Sequence, residues 1–98
     1  MIHITEHPGG LEIIGHAGFA EYGSDIVCAG ITALADTLVM SLQQLTQDRI
    51  VVADGSGLIK VKYKELSEAG RLLVSAFFIG ATWIAEEYPE HVTVSRLE

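Results

Sequence analysis

The alternation of apolar and polar positions changes period several times along the chain, and each change marks an element. Met1–His7 and Leu11–His16 are short runs holding β-branched residues, joined by Pro8-Gly9-Gly10, whose backbone preferences favour a turn. Together they predict an N-terminal β-hairpin. Ala17–Ser24, with two glycines and mixed polarity, reads as a loop. From Asp25 to Leu45, the residues Val27, Ile31, Leu34, Leu38, Leu42 and Leu45 recur at steps of three or four, which places them on one stripe of a helix. Ser24 or Asp25 supplies its N-cap.

Arg49–Ala53 and Leu58–Tyr63 flank Asp54-Gly55-Ser56-Gly57, a segment rich in residues that accept left-handed backbone angles, and predict a second hairpin. Leu66, Ala69, Leu73, Ala76, Gly80 and Trp83 again step by three and four, a second helix that Pro89 stops near Glu87 or Tyr88. His91–Ser95 remains as a final strand. The order ββαββαβ calls for an α+β, two-layer sandwich with two helices on one face of a mixed β-sheet. Both helices carry more apolar side chains than one stripe needs: Val39 and Met40 on the first, Phe77, Phe78 and Ile79 on the second. That excess reads either as further core or as a dimer surface.

Composition narrows the class. The chain has 98 residues, 49% of them hydrophobic, and no Pro/Ser-rich linker, so residues 1–98 read as a single domain. The apolar stretches Ile31–Met40 and Leu72–Ile84 are interrupted by Asp36, Thr37, Ser75 and Gly80, and are expected to be too short or too broken for a bilayer. Met1-Ile2-His3-Ile4-Thr5-Glu6 lacks the basic segment and apolar run of a secretory signal, and one cysteine cannot close an internal disulfide, so a reducing, cytoplasmic setting is expected.

Six Lys+Arg against thirteen Asp+Glu give a formal charge of −7, which argues against a nucleic-acid partner and permits a basic protein partner. Lys60, Lys62 and Lys64 alternate along one strand face and read as solvated. No cofactor is called for. His3, His7, His16 and Cys28 match no common zinc spacing, so no metal site is expected.

The candidate chemistry lies in Gly15-His16-Ala17-Gly18-Phe19-Ala20-Glu21-Tyr22-Gly23-Ser24-Asp25-Ile26-Val27-Cys28-Ala29-Gly30. Cys28, the sole cysteine, opens the first helix, where free backbone N–H groups and the helix dipole favour a thiolate. His16, at the end of a predicted strand, is the histidine best placed to act as its base. The backbone N–H groups of Cys28 and Ala29 are candidate oxyanion donors. Asp25 reads as an N-cap and not as a third catalytic group. From the residues alone a second reading stands, because a lone cysteine is commonly a small buried hydrophobe.

Gly15-His16-Ala17, the short glycine-bearing loop, and Asp25-Ile26-Val27-Cys28-Ala29 resemble the signature of the ribosomal-processing cysteine protease family Prp. The resemblance extends over nearly the whole chain, including Tyr88-Pro89-Glu90-His91-Val92. It implies a cysteine endopeptidase with His16 and Cys28 as catalytic dyad, working through an acyl-enzyme without cofactor. It further implies a homodimer, with the loop bearing Gly18, Phe19, Glu21, Tyr22, Gly23 and Ser24 covering the site.

The implied substrate is the precursor of the large-subunit ribosomal protein numbered twenty-seven, trimmed of a short N-terminal extension, or a phage structural protein. Gly30 and Thr32 depart from the family pattern, standing where alanine and serine are expected. The competing reading from another class is a non-enzymatic, dimeric ribosome-assembly or interaction module with an inert Cys28.

Overall fold

The computed structural model describes residues 1–21 and 25–97. Strands β1 (Ile2–His7), β2 (Gly10–Ile14), β3 (Ile50–Gly55), β4 (Leu58–Tyr63) and β5 (Val92–Ser95) and helices α1 (Ile26–Leu45) and α2 (Glu68–Glu87) follow one another in the expected order ββαββαβ. The five strands form one sheet in the order β3-β4-β2-β1-β5. It is mixed: β1 and β5 are parallel, while the other neighbours are antiparallel.

Alternation along the central strands decides which face is covered. Ile2 and Ile4 of β1, Leu11 and Ile13 of β2, Val61 of β4 and Val92 of β5 are buried, and the residues between them turn outward. On the outward face Glu12 pairs with His7 at 2.8 Å and with Lys60 at 3.8 Å, consistent with a solvated lysine row. Val27, Ile31, Ala35, Leu38 and Leu42 of α1 and Val74, Phe77, Phe78 and Ala81 of α2 complete the core. A side chain such as Phe78 or Leu42 contributes about 2–3 kcal/mol through its burial.

Several expectations are corrected here. The buried face of α2 runs through Gly70, Val74, Phe77, Phe78 and Ala81, about one residue round from the expected stripe, and Trp83 is 64% exposed. Both sides of α2 are apolar, so spacing alone does not choose between them, and the two phenylalanines fill the space under the sheet. Leu66 precedes the Ser67 cap, and Leu45 points outward. Both helices reach 20 residues and are long and apolar enough by composition to cross a membrane, contrary to the reading from the interrupted runs. Their apolar content is accounted for in part by the core they share. Gly30 sits where α1 meets α2, since a Cβ there would lie 3.3 Å from Cδ1 of Ile84.

The start of α2 is held from a distant segment. Asp48 accepts hydrogen bonds from the Ser67 backbone N–H and, at 2.9 Å, from its hydroxyl, while Ser67 Oγ accepts from Gly70 N–H at 3.0 Å. A Cβ on Gly70 would stand 2.1 Å from Asp48 Oδ2. Alanine normally gains about 1 kcal/mol over glycine inside a helix. Here displacing a carboxylate from its hydrogen bonds costs about 1.5–3 kcal/mol and outweighs that gain. Gly70→Ala is expected to lower the unfolding midpoint, and less so in an Asp48→Ala background, as a double-mutant cycle by thermal unfolding will read.

Candidate active site

Cys28 is the third residue of α1, and its place is set by the cap before it. Asp25 Oδ1 accepts from the N–H groups of Val27 at 3.0 Å and Cys28 at 2.9 Å, and Oδ2 accepts from Phe19 N–H at 3.0 Å. One carboxylate thus ties the post-strand loop to the helix that carries the thiol. Burial pulls the Asp25 carboxyl upward, but the N–H groups of Cys28, Phe19, Ala20 and Val27 outweigh it and hold the group below its usual 3.8.

A carboxyl lowered on folding stabilises the protein fully above its unfolded pKa and loses that contribution as pH falls through its folded value. Asp25→Ala is therefore expected to cost about 1 kcal/mol near neutrality. The gap in unfolding midpoint between wild type and variant should narrow as the solution is acidified through that titration.

β2 stops at Ile14, two residues earlier than the apolar run suggested. Gly15 takes φ +104 and donates its N–H to Gly57 O at 2.8 Å, so the chain leaves the strand and His16 lies in the following bend. Gly57, with φ +67, closes the β3–β4 hairpin directly beneath the imidazole. A Cβ there would lie 2.8 Å from His16 Nε2. His16 carbonyl oxygen accepts from the Met1 amino group at 2.5 Å, and the next N–H, that of Ala17, points at Cys28 Sγ at 3.2 Å.

His16 and Cys28 line one open cleft of about 1220 Å³, together with Gly18, Asp25, Thr32, Asp36 and the hairpin Asp54–Leu58. Its acidic walls suit a substrate segment of positive charge. Among the described residues the sulfur's hydrogen-bond partner is Ala17 N–H, and the imidazole stands over Gly57.

The two candidate oxyanion donors are both engaged in the absence of substrate. The Cys28 N–H is engaged by Asp25 Oδ1, and the Ala29 N–H by Asp25 O at 3.0 Å, so capping occupies both donors. Of the loop residues, Gly18 lines the cleft, Glu21 is exposed, and Phe19 packs edge-on against Tyr88 and His91 with ring centroids 5.4 Å apart in each case. Tyr22, Gly23 and Ser24 lie outside the described residues. His3 bonds Thr93 at 2.9 Å and His7 pairs with Glu12, so the histidines do not gather around Cys28. Sequence reasoning missed the β3–β4 hairpin as a wall of the site. The paired glycines of Gly55-Ser56-Gly57 were its only signal, and they read equally well as a plain turn.

A thiol on the first turn of a helix and an imidazole on the same open cleft are the groups a thiol hydrolase requires. The chain belongs to the family described as Cysteine protease Prp, whose sequence model matches residues 1–93. It is a cysteine protease, and the inert-module reading is set aside.

The ribosomal processing cysteine protease Prp of Staphylococcus aureus is 31% identical over 84 residues, spanning 83% of this chain and 79% of its own. The Bacillus subtilis protein of the same description is 26% identical over 91 residues, 86% of this chain and 81% of its own. Among solved structures, the S. aureus protease Prp with a covalently linked product peptide superposes at TM-score 0.88 with 26% identity, over 98% of this chain and 97% of that one. SMU.848 from Streptococcus mutans superposes at 0.81 with 33% identity, over 99% and 94%.

Proposed function

We propose that this chain is a cytoplasmic endopeptidase that removes a short N-terminal extension from the large-subunit ribosomal protein numbered twenty-seven. The observation that carries the reading is the shared cleft of Cys28 and His16, with an amide already donating to the sulfur. The S. aureus and B. subtilis relatives described as ribosomal processing proteases support the substrate. So does the S. aureus structure with a covalently linked product peptide.

The thiolate of Cys28 attacks the scissile carbonyl carbon, forming a C–S bond as the C–N bond breaks. His16, holding the thiol's proton, passes it to the departing amine. Water then attacks the acyl-enzyme, His16 takes its proton, and the peptide acid leaves as the thiolate is restored. Catalytic hydrogen bonds often tighten only when substrate is bound, which fits an imidazole resting on Gly57 in the free enzyme. The test is the mass of the ribosomal precursor before and after incubation. One truncation at the N-terminal extension is expected, and an unchanged mass or scattered cuts would refute the assignment.

The same proposal includes a homodimer. Leu72, Ile79 and Trp83 form an apolar stripe on α2, at 71%, 72% and 64% exposure, with Ala76 between them. A second copy of this helix is the occupant a soluble dimer would supply. Ile79→Glu is expected to convert the dimer to a monomer in sedimentation, with the fold retained by circular dichroism.

A further inference from the structure

We propose that His91 is a positioning residue for the thiol site: its Nδ1–H holds the Ala17 carbonyl so that the Ala17 N–H stays aimed at Cys28 Sγ. The inference rests on the reading of Cys28 as an activated nucleophile and adds to it a residue far away in sequence.

Four contacts link His91 to the sulfur. His91 Nδ1 lies 2.8 Å from Ala17 O, and because a carbonyl oxygen only accepts, the ring nitrogen carries the proton. Ala17, 2% exposed, directs its own N–H at Cys28 Sγ at 3.2 Å. Phe19 meets the His91 ring edge-on at an interplanar angle of 79° and the Tyr88 ring at 84°, which seats the segment after Ala17 on the same support.

The support is stiff. His91 N–H donates to Tyr88 O at 2.9 Å, and Ile2 N–H donates to His91 O at 2.8 Å, fixing the residue between the end of α2 and the first strand. Ala17 itself brings only a methyl group to the core. The peptide unit that carries the Ala17 N–H ends in the His16 carbonyl, held by the Met1 amino group, and His91 fixes the next unit through Ala17 O, so the residue is clamped on both sides.

The titratable groups that line the cleft with the sulfur are His16, Asp25, Asp36 and Asp54, while the Met1 amino group bonds the His16 carbonyl, His91 bonds Ala17 O and Tyr88 meets Phe19. Nδ1 donates whether the ring is neutral or protonated, so the role does not depend on titration of His91.

Two substitutions separate the hydrogen bond from the packing. His91→Phe keeps a ring against Phe19 and removes the donor, while His91→Asn keeps an N–H near the Nδ1 position and removes the ring. The measurement is the pH dependence of Cys28 alkylation by iodoacetamide, with the unfolding midpoint recorded for each protein. His91→Phe is expected to slow alkylation at pH 6 about tenfold and to move the profile toward higher pH. His91→Asn is expected to keep the wild-type inflection.

A wild-type profile in His91→Phe, or an upward shift of equal size in both variants, overturns the proposal. Should wild-type Cys28 titrate like a free thiol, the activated-nucleophile reading falls as well. An activated wild-type thiol unmoved by His91→Phe sinks this inference alone.

Discussion

Cys28→Ser is expected to reduce peptide-bond cleavage by about a thousandfold or more while leaving the fold in place. Sulfur and oxygen differ little in size, Cys28 is only half-buried, and its backbone is fixed by the Asp25 cap, not by the side chain. What is lost is the ease of ionisation. A hydroxyl is far harder to deprotonate than a thiol and needs a stronger base than an imidazole alone. His16→Ala is expected to fall nearly as far, and the double variant no further than the worse single one, because nucleophile and base act as a unit. Steady-state rates on a precursor peptide, with unfolding midpoints alongside, will check all three. Independent, multiplying losses would show that the two residues do not share a step.

Gly57→Ala carries the second large effect, at a residue outside the thiol–imidazole pair. Its φ of +67 disfavours any side chain, and the added methyl would stand 2.8 Å from His16 Nε2. The hairpin backbone is held by the Gly15–Gly57 hydrogen bond, so the imidazole has to give way. A displaced catalytic group by about 1 Å can lower the rate about a hundredfold, against a stability cost of about 1 kcal/mol. Gly9→Ala, with open space around its Cβ in the turn between β1 and β2, is the matched control and should leave kcat/KM unchanged. A Gly57→Ala enzyme with full activity would show that His16 works from another position.

Element order was legible because each strand and helix carries its own period, and because Pro8-Gly9 and Tyr88-Pro89 interrupt those periods at true boundaries. The phase of α2 was not legible. Leu73, Ala76 and Trp83 match the helical step as well as Val74, Phe77 and Ala81 do, and only the shape of the cavity under β1 and β2 selects between them. Cys28 and His16 stood out through residue type and a family resemblance that runs over nearly the whole chain. Gly57 and His91 did not, since their relation to the site runs through long-range contacts that no nearby residue encodes. That the Cys28 amide donates to the Asp25 carboxylate and the Ala29 amide to the Asp25 carbonyl was not legible either, since residue type does not say which donors a cap occupies.

The contact between His91 and Ala17 joins positions 74 apart in the chain, and β5, which follows His91, docks beside β1. A late segment thus props a scissor whose blades, at positions 16 and 28, come much earlier in the chain. A growing polypeptide carries its thiol well before it acquires position 91, so cutting power is expected to lag behind synthesis of the segment that holds Cys28 until His91 has docked.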